Sequence, residues 1–252
     1  MKKRKSWVPA SAGCALALAA CGLASDTDPA ATAWGHAEAA DSRGDYALAS
    51  REMHRAAMLT QGPARANYLL QTGLIAIKAG EGSKALTYAR RALTLDPKLA
   101  PAALTVAAAG YMLTDELGRA EKSVNRAVEL NPDLAVARII RAEVDLTLAD
   151  EEKKEDNARL RRNRAVVDLE LALDIGAVPA APVHARLADA LEALGKAEDA
   201  EAERYYGRND MLPIPSESSA SNRQIRAHFN DRSRPIAPHH SPTVSRRTIA
   251  FL

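Results

Sequence analysis

Few side chains in this 252-residue chain have the type and spacing that catalysis or metal binding needs. His36, His54 and His184 lie far apart, and no two share a helix face at i, i+3 or i+4 spacing. Each reads as a helix-surface or packing residue. His239 and His240 are adjacent, in a stretch without the preorganised shell a metal site requires. Gly80-Glu81-Gly82-Ser83-Lys84 has the flavour of a phosphate loop, but Ser precedes Lys, the upstream Gly is misplaced and no strand leads in, so a turn between helices explains it better. Glu38 with Asp41, and Asp189 with Glu192, are carboxylates at i and i+3 that could stand over a substrate. Nothing in the sequence builds a pocket around them, and they read as solvated helix faces. No catalytic, cofactor-binding or metal-ligating residue is therefore assigned, and the chain reads as a non-enzyme.

The elements that carry these residues are helices. Ala and Leu dominate, aromatics reach only 4%, and no run alternates Val, Ile, Thr and aromatic residues as a strand would. The expected class is all-α, and its organisation is repetitive. Gly44, Ala49, Met53, Ala56 and Leu59 recur thirty-six residues later as Gly80, Ala85, Ala89, Ala92 and Leu95. Thirty-five residues further come Ala120, Val124, Ala127 and Leu130. Leu95-Asp96-Pro97 and Leu130-Asn131-Pro132 close two units with nearly the same phrase, in which Pro stops one helix and pre-sets the next. A fourth unit carries Ala165, Leu169, Ala172 and Ile175, and a fifth Ala188, Gly195 and Ala200.

A period near 34 residues with two helices per period resembles the tetratricopeptide repeat. The best match runs from Ala66 to Lys98, where Leu69, Gly73, Gly80, Ala85, Ala92 and Pro97 occupy the family's characteristic places, while Thr72, Ala76 and Ala89 replace larger residues. The resemblance implies a right-handed superhelix of about five hairpins over residues 30–211, with the first helix of each hairpin lining a concave groove. Carried over place by place, it implies partner-binding residues Asn67, Leu70, Leu74 and Ile77 in the second unit. In the third it implies Leu104 and Tyr111, with Ala108 between them, and in the fourth Ile139 and Glu143, with Val136 and Leu146 beside them. Trp34, Glu38 and Asp41 at one end, and Asp189 and Glu192 at the other, give the groove acidic ends around an apolar middle. Such a groove suits an amphipathic or extended segment with basic flanks. The competing expectation is that the apolar residues pack against neighbouring helices.

Two segments depart from the repeat. Ala142 and Ala165 are twenty-three residues apart where twelve is usual, and eleven extra residues make about three helical turns. The insert, 150–163, is expected to lengthen both helices of its hairpin by about a turn and a half each and to project as a solvated hairpin; the alternative is a knob on which a partner docks. Residues 212–252 hold five of the thirteen Pro, seven Ser, and six Arg against Glu217 and Asp231, and end in Ile249-Ala250-Phe251-Leu252. This stretch reads as a disordered tail, basic with an apolar end, that is expected to compete for the concave groove.

The N-terminus reads as an address. Lys2, Lys3, Arg4 and Lys5 precede an apolar run from Trp7 to Ala20, shorter than the ~20 residues that cross a bilayer. Leu18-Ala19-Ala20-Cys21-Gly22 resembles the lipobox of bacterial lipoproteins. That resemblance implies a signal peptide at 1–20, acylation of Cys21, a lipidated linker at 21–29 and, with Gly22 rather than Asp after the Cys, an outer-membrane address facing the periplasm. Removal of the leader would take away Cys14, the other of the two Cys, and with it any disulfide. The formal net charge of +2 hides a contrast: with the leader and tail set aside, the span 21–211 carries −6. Nucleic acid is not the expected partner of such a body. In plan and size the chain is similar to pilotins and tight-adherence pilus lipoproteins. The expected role is a lipid-anchored adaptor that binds a protein or peptide, such as a secretin or pilus component, during assembly of an envelope complex. The alternative is a periplasmic chaperone, or a regulator of an envelope polysaccharide or peptidoglycan enzyme.

Overall fold

The structure, a computed structural model, describes residues 28–177 and 179–209. Ten α-helices pair into five antiparallel hairpins. They are α1 (Pro29–Ser42) with α2 (Tyr46–Leu59), α3 (Gly62–Lys78) with α4 (Gly82–Leu95), α5 (Ala100–Leu113) with α6 (Leu117–Leu130), α7 (Ala135–Glu151) with α8 (Glu155–Ile175), and α9 (Ala180–Ala193) with α10 (Ala197–Asn209). Cys21 and the tail at 212–252 lie outside the described residues.

The hairpins turn in the same way because one backbone device is reused. In four of them the N–H of the residue that precedes the second helix reaches back to a carbonyl in the last turn of the first: Asp45 to Ala40, Glu81 to Ala76, Glu116 to Tyr111 and Lys196 to Leu191. That bond needs a left-handed residue just before it, supplied by Gly44, Gly80 and Gly195 at φ of 74°, 75° and 79°. In the third hairpin Asp115 takes the place at φ 66°, a conformation that costs an L-residue free energy. Between hairpins, the Asp96 and Asn131 side chains accept the N–H two residues on, at 3.0 and 3.1 Å, which explains an Asx residue before each Pro.

The recurrent small residues are the surfaces on which helices meet. Ala37, Ala108, Ala142 and Ala188 in the first helices, and Ala49, Ala85, Ala120, Ala165 and Ala200 in the second, are wholly inaccessible to solvent. A Cβ placed on Gly73 would stand 3.0 Å from Val106, and one on Gly82 would stand 2.7 Å from the Gly110 carbonyl oxygen. The two glycines of the phosphate-loop-like stretch therefore serve a turn and a close helix contact, while Lys84 pairs with Glu81 at 2.8 Å.

Beyond the contacts of each helix with its chain neighbours, α3 packs on α5 and α5 on α7, and no comparable contact links the even-numbered helices. The odd-numbered helices are thus the closer-packed layer, and the array curves with them inside. The fourth hairpin is longer than the rest, as the insert demands, but unequally: α7 has 17 residues and α8 has 21, against 14 in each helix of the first and third. Its tip is exposed, yet Ala149 and Ala158 are buried, so the insert folds back on its own base and only the turn projects.

Candidate partner-binding face

The inner layer has a small-residue middle and ionic ends. Leu70 and Ile77 of α3, 5% and 3% exposed, are buried in one cluster with Ala109 of α5, beside buried Thr105, whereas Ile139 of α7, 5% exposed, is buried in the cluster that reaches Val183 and Leu187 of α9. These apolar side chains pack against neighbouring helices, the second of the two expectations for them. Asn67 and Leu74 are half-buried on α3. Leu104 packs with Ala127, Val128 and Ala137, and the guanidinium of Arg119 lies over the Tyr111 ring, 5.8 Å from its centre. Both belong to the side of α5 that meets α6. The displacement is one residue of register: a shift of thirty-five from Asn67, Leu70, Leu74 and Ile77 leads to Ala102, Thr105, Ala109 and Met112. Of these, Ala102 and Met112 are half-buried. The offset that aligned the second helices would have found them.

At the ends, where the odd helices separate, charges bridge the gap. Lys78 of α3 donates to Asp41 of α1 at 2.7 Å. Arg186 of α9 donates twice to Glu143 of α7, both at 2.6 Å. Glu143 is only 5% exposed and is committed to this bidentate pair. Burial pulls Arg186 towards neutrality, and Glu143 more than reverses it. Asp189 also pairs with Arg186, and Glu192 with Arg204. The acidic ends expected from sequence are therefore largely neutralised by neighbouring bases; Glu38 and Trp34 remain exposed on α1.

A second ionic layer fastens the fourth hairpin. Asp168 of α8, 1% exposed, accepts two bonds from Arg141 at 2.6 Å and one from Arg138 at 3.1 Å, both on α7. In return Asp145 of α7, fully buried, accepts from Arg161 and Arg164 of α8. The same two arginines reach Glu121 of α6 at 2.8 and 3.2 Å. Burial pushes the Glu121 carboxyl up, but the two guanidiniums outweigh it and hold it below the usual carboxylate range. His184 and Glu203 join α9 to α10 at 2.7 Å. His54 lies tilted against Tyr88, ring centres 5.7 Å apart, and His36 is exposed. Sequence reasoning missed this layer because its partners are sixteen to forty-three residues apart. No group of three or more His, Cys, Asp or Glu that could hold a metal occurs among the described residues, and none of their helices is long and apolar enough to cross a membrane.

No family model matches the chain, and no curated protein matches it by sequence. Solved structures do. TTC0263, a thermophilic TPR protein of Thermus thermophilus, is 17% identical, covers 80% of this chain and 97% of its own, and superposes with a TM-score of 0.57. A MamA protein is 15% identical, covering 76% of this chain and 99% of its own at a TM-score of 0.47. BtubC (BKLC) from P. vanneervenii is 17% identical, covering 84% and 85% at a TM-score of 0.46. The Thermus protein carries the comparison: five hairpins with small residues at fixed places form a tetratricopeptide-type helical repeat. At this identity the likeness speaks of fold alone.

Proposed function

We propose that the chain is a non-enzymatic adaptor, anchored through lipid on Cys21 and engaging a protein segment along its inner layer during assembly of an envelope complex such as a pilus or secretion system. The observation that carries this reading is the inner layer itself: a curved face of odd-numbered helices, clamped at both ends by ion pairs and edged by half-buried Asn67, Leu74, Ala102, Met112 and Leu146. A preorganised face of this kind loses little entropy when a segment docks on it. Leu70, Ile77, Ile139, Glu143, Leu104 and Tyr111 then act by shaping the face from behind. The Leu18-Ala19-Ala20-Cys21 stretch supports the anchor, and Gly22 supports an outer-membrane address facing the periplasm.

The test has two arms. Labelled fatty acid should be incorporated by the chain and not by Cys21→Ser, which should leave the membrane fraction; labelling that survives would place the anchor elsewhere. Pull-down from detergent-solubilised envelopes with the intact chain and with Leu74→Asp should recover a partner that the variant loses. Recovery of a secretin or pilus component supports the assembly role. A polysaccharide or peptidoglycan enzyme recovered in its place would favour the regulator reading, and many unfolded clients the chaperone reading.

A further inference from the structure

Of the ten large apolar side chains exposed among the described residues, four lie on one helix, α8. Leu160, Val167, Leu171 and Ile175 of α8 are 70%, 52%, 36% and 39% exposed. Spacings of seven, four and four place them within about 80° of one another on a helix of 3.6 residues per turn. They form a stripe along the longest helix, opposite buried Leu169, with buried Asp168 flanking its Ile175 edge. The insert supplies its first member, Leu160. Exposed Glu170 and Asp174 border the C-terminal half of the stripe. Nothing described in the chain covers this face.

We infer that the occupant is a segment of the same chain, Ile249-Ala250-Phe251-Leu252, seated on the α8 stripe. Three observations converge. The sequence runs on for 43 residues past Asn209, the last residue of α10. Even-numbered helices run parallel in successive hairpins, so the chain leaves α10 at the rim where α8 ends, one repeat away. Forty residues from Asn209 to Ile249 have a contour of about 130 Å at about 3.3 Å each, several times the roughly 32 Å length of α8. The charges also match: Arg246 and Arg247 stand just before Thr248 and the apolar segment, residues 212–252 carry six Arg against two acids, and the span 21–211 carries −6. Two copies of that body repel each other, whereas the tail is attracted. At physiological salt the Debye length is about 8 Å, so Arg246 and Arg247 act at contact range and the apolar residues supply the lasting affinity. Tethering raises the local concentration of the end to the order of millimolar, enough for a weak apolar contact to persist.

The test is hydrogen–deuterium exchange on the full chain, on a chain ending at Thr248, and on Val167→Asp/Leu171→Asp, whose substitutions lie on the exposed face and leave the core intact. Circular dichroism checks the fold of each, and sedimentation at two concentrations reports association. Docking predicts that peptides spanning 160–175 exchange at least threefold more slowly in the full chain than in either variant, independently of concentration. Equal exchange in all three overturns the inference. So does protection that moves to α3 and α5, which would place the tail in the inner groove, or protection that grows with concentration alongside a dimer, which would make a second copy the occupant.

Discussion

Residues 28–134 and residues 135–209 build the same hairpin by different chemistry. In the first three hairpins the helices approach on alanine and glycine, and no charged residue among them is buried. In the last two, four carboxylates are buried, Glu143, Asp145, Asp168 and Glu203, each facing a basic side chain on a neighbouring helix. Small residues let two backbones come close but discriminate little between one register and the next. A bidentate arginine pair is directional, and a slip of one residue leaves a charge buried without its partner. The hairpin that carries an eleven-residue insertion is therefore the one pinned by reciprocal ion pairs, Asp168 with Arg138 and Arg141, Asp145 with Arg161 and Arg164.

The contrast is broken most severely at Asp168. Asp168→Ala takes a buried carboxylate away from part-exposed Arg138 and Arg141, and removing one member of such a set costs up to about 3–5 kcal/mol. Urea unfolding should show this loss, and a change under about 1 kcal/mol would mean that the pairs do not hold the hairpin. In the alanine-built half, Ala85→Leu and Ala120→Leu force methylenes between touching helices, at about 1–3 kcal/mol each. Lys153→Ala, in the exposed turn of the insert, should stay within about 0.5 kcal/mol. Equal damage from all three would sink the assigned register.

A smaller effect sharpens the comparison of turns. Asp115→Gly places the residue that the other turns use at a φ of 66°, and should stabilise the third hairpin by about 0.5–1 kcal/mol, seen as a raised thermal midpoint. The smallest prediction concerns acid. The Glu121 carboxyl is held below its ordinary 4.5, so its contribution is fully present above that pH and is lost as the pH falls through the lower folded-state value. Stability measured between pH 6 and pH 3 should fall less steeply in Glu121→Gln than in the parent chain; identical slopes would mean that its arginine pairs contribute nothing.

How much of this was legible follows from the kind of contact. Alanine at a fixed interval marks helix contact because nothing larger fits, so the five hairpins and their turns could be read from Ala85, Ala120 and Gly80. The insert's length predicted about three extra turns, but not their unequal division between α7 and α8, which depends on where Arg161 and Arg164 can meet Asp145. In the third unit Leu104 and Tyr111, conspicuous by size, stand on the side of α5 that meets α6, one residue from the smaller Thr105 and from Met112. Glu143 was singled out for its position, and only the fold shows that Arg186 claims it. Charged residues on a helix look alike in sequence whether they meet water or a buried partner some forty residues away.

The central claim is that the inner layer of odd-numbered helices is where a partner docks. A photo-crosslinking residue placed in living cells at Leu74 or Met112, with Arg90 and Lys122 on the exposed sides of α4 and α6 as controls, tests it directly. The account predicts one discrete adduct with an envelope protein from the inner positions and none from the controls. The same adduct from Arg90 or Lys122, with none from Leu74 and Met112, would contradict it.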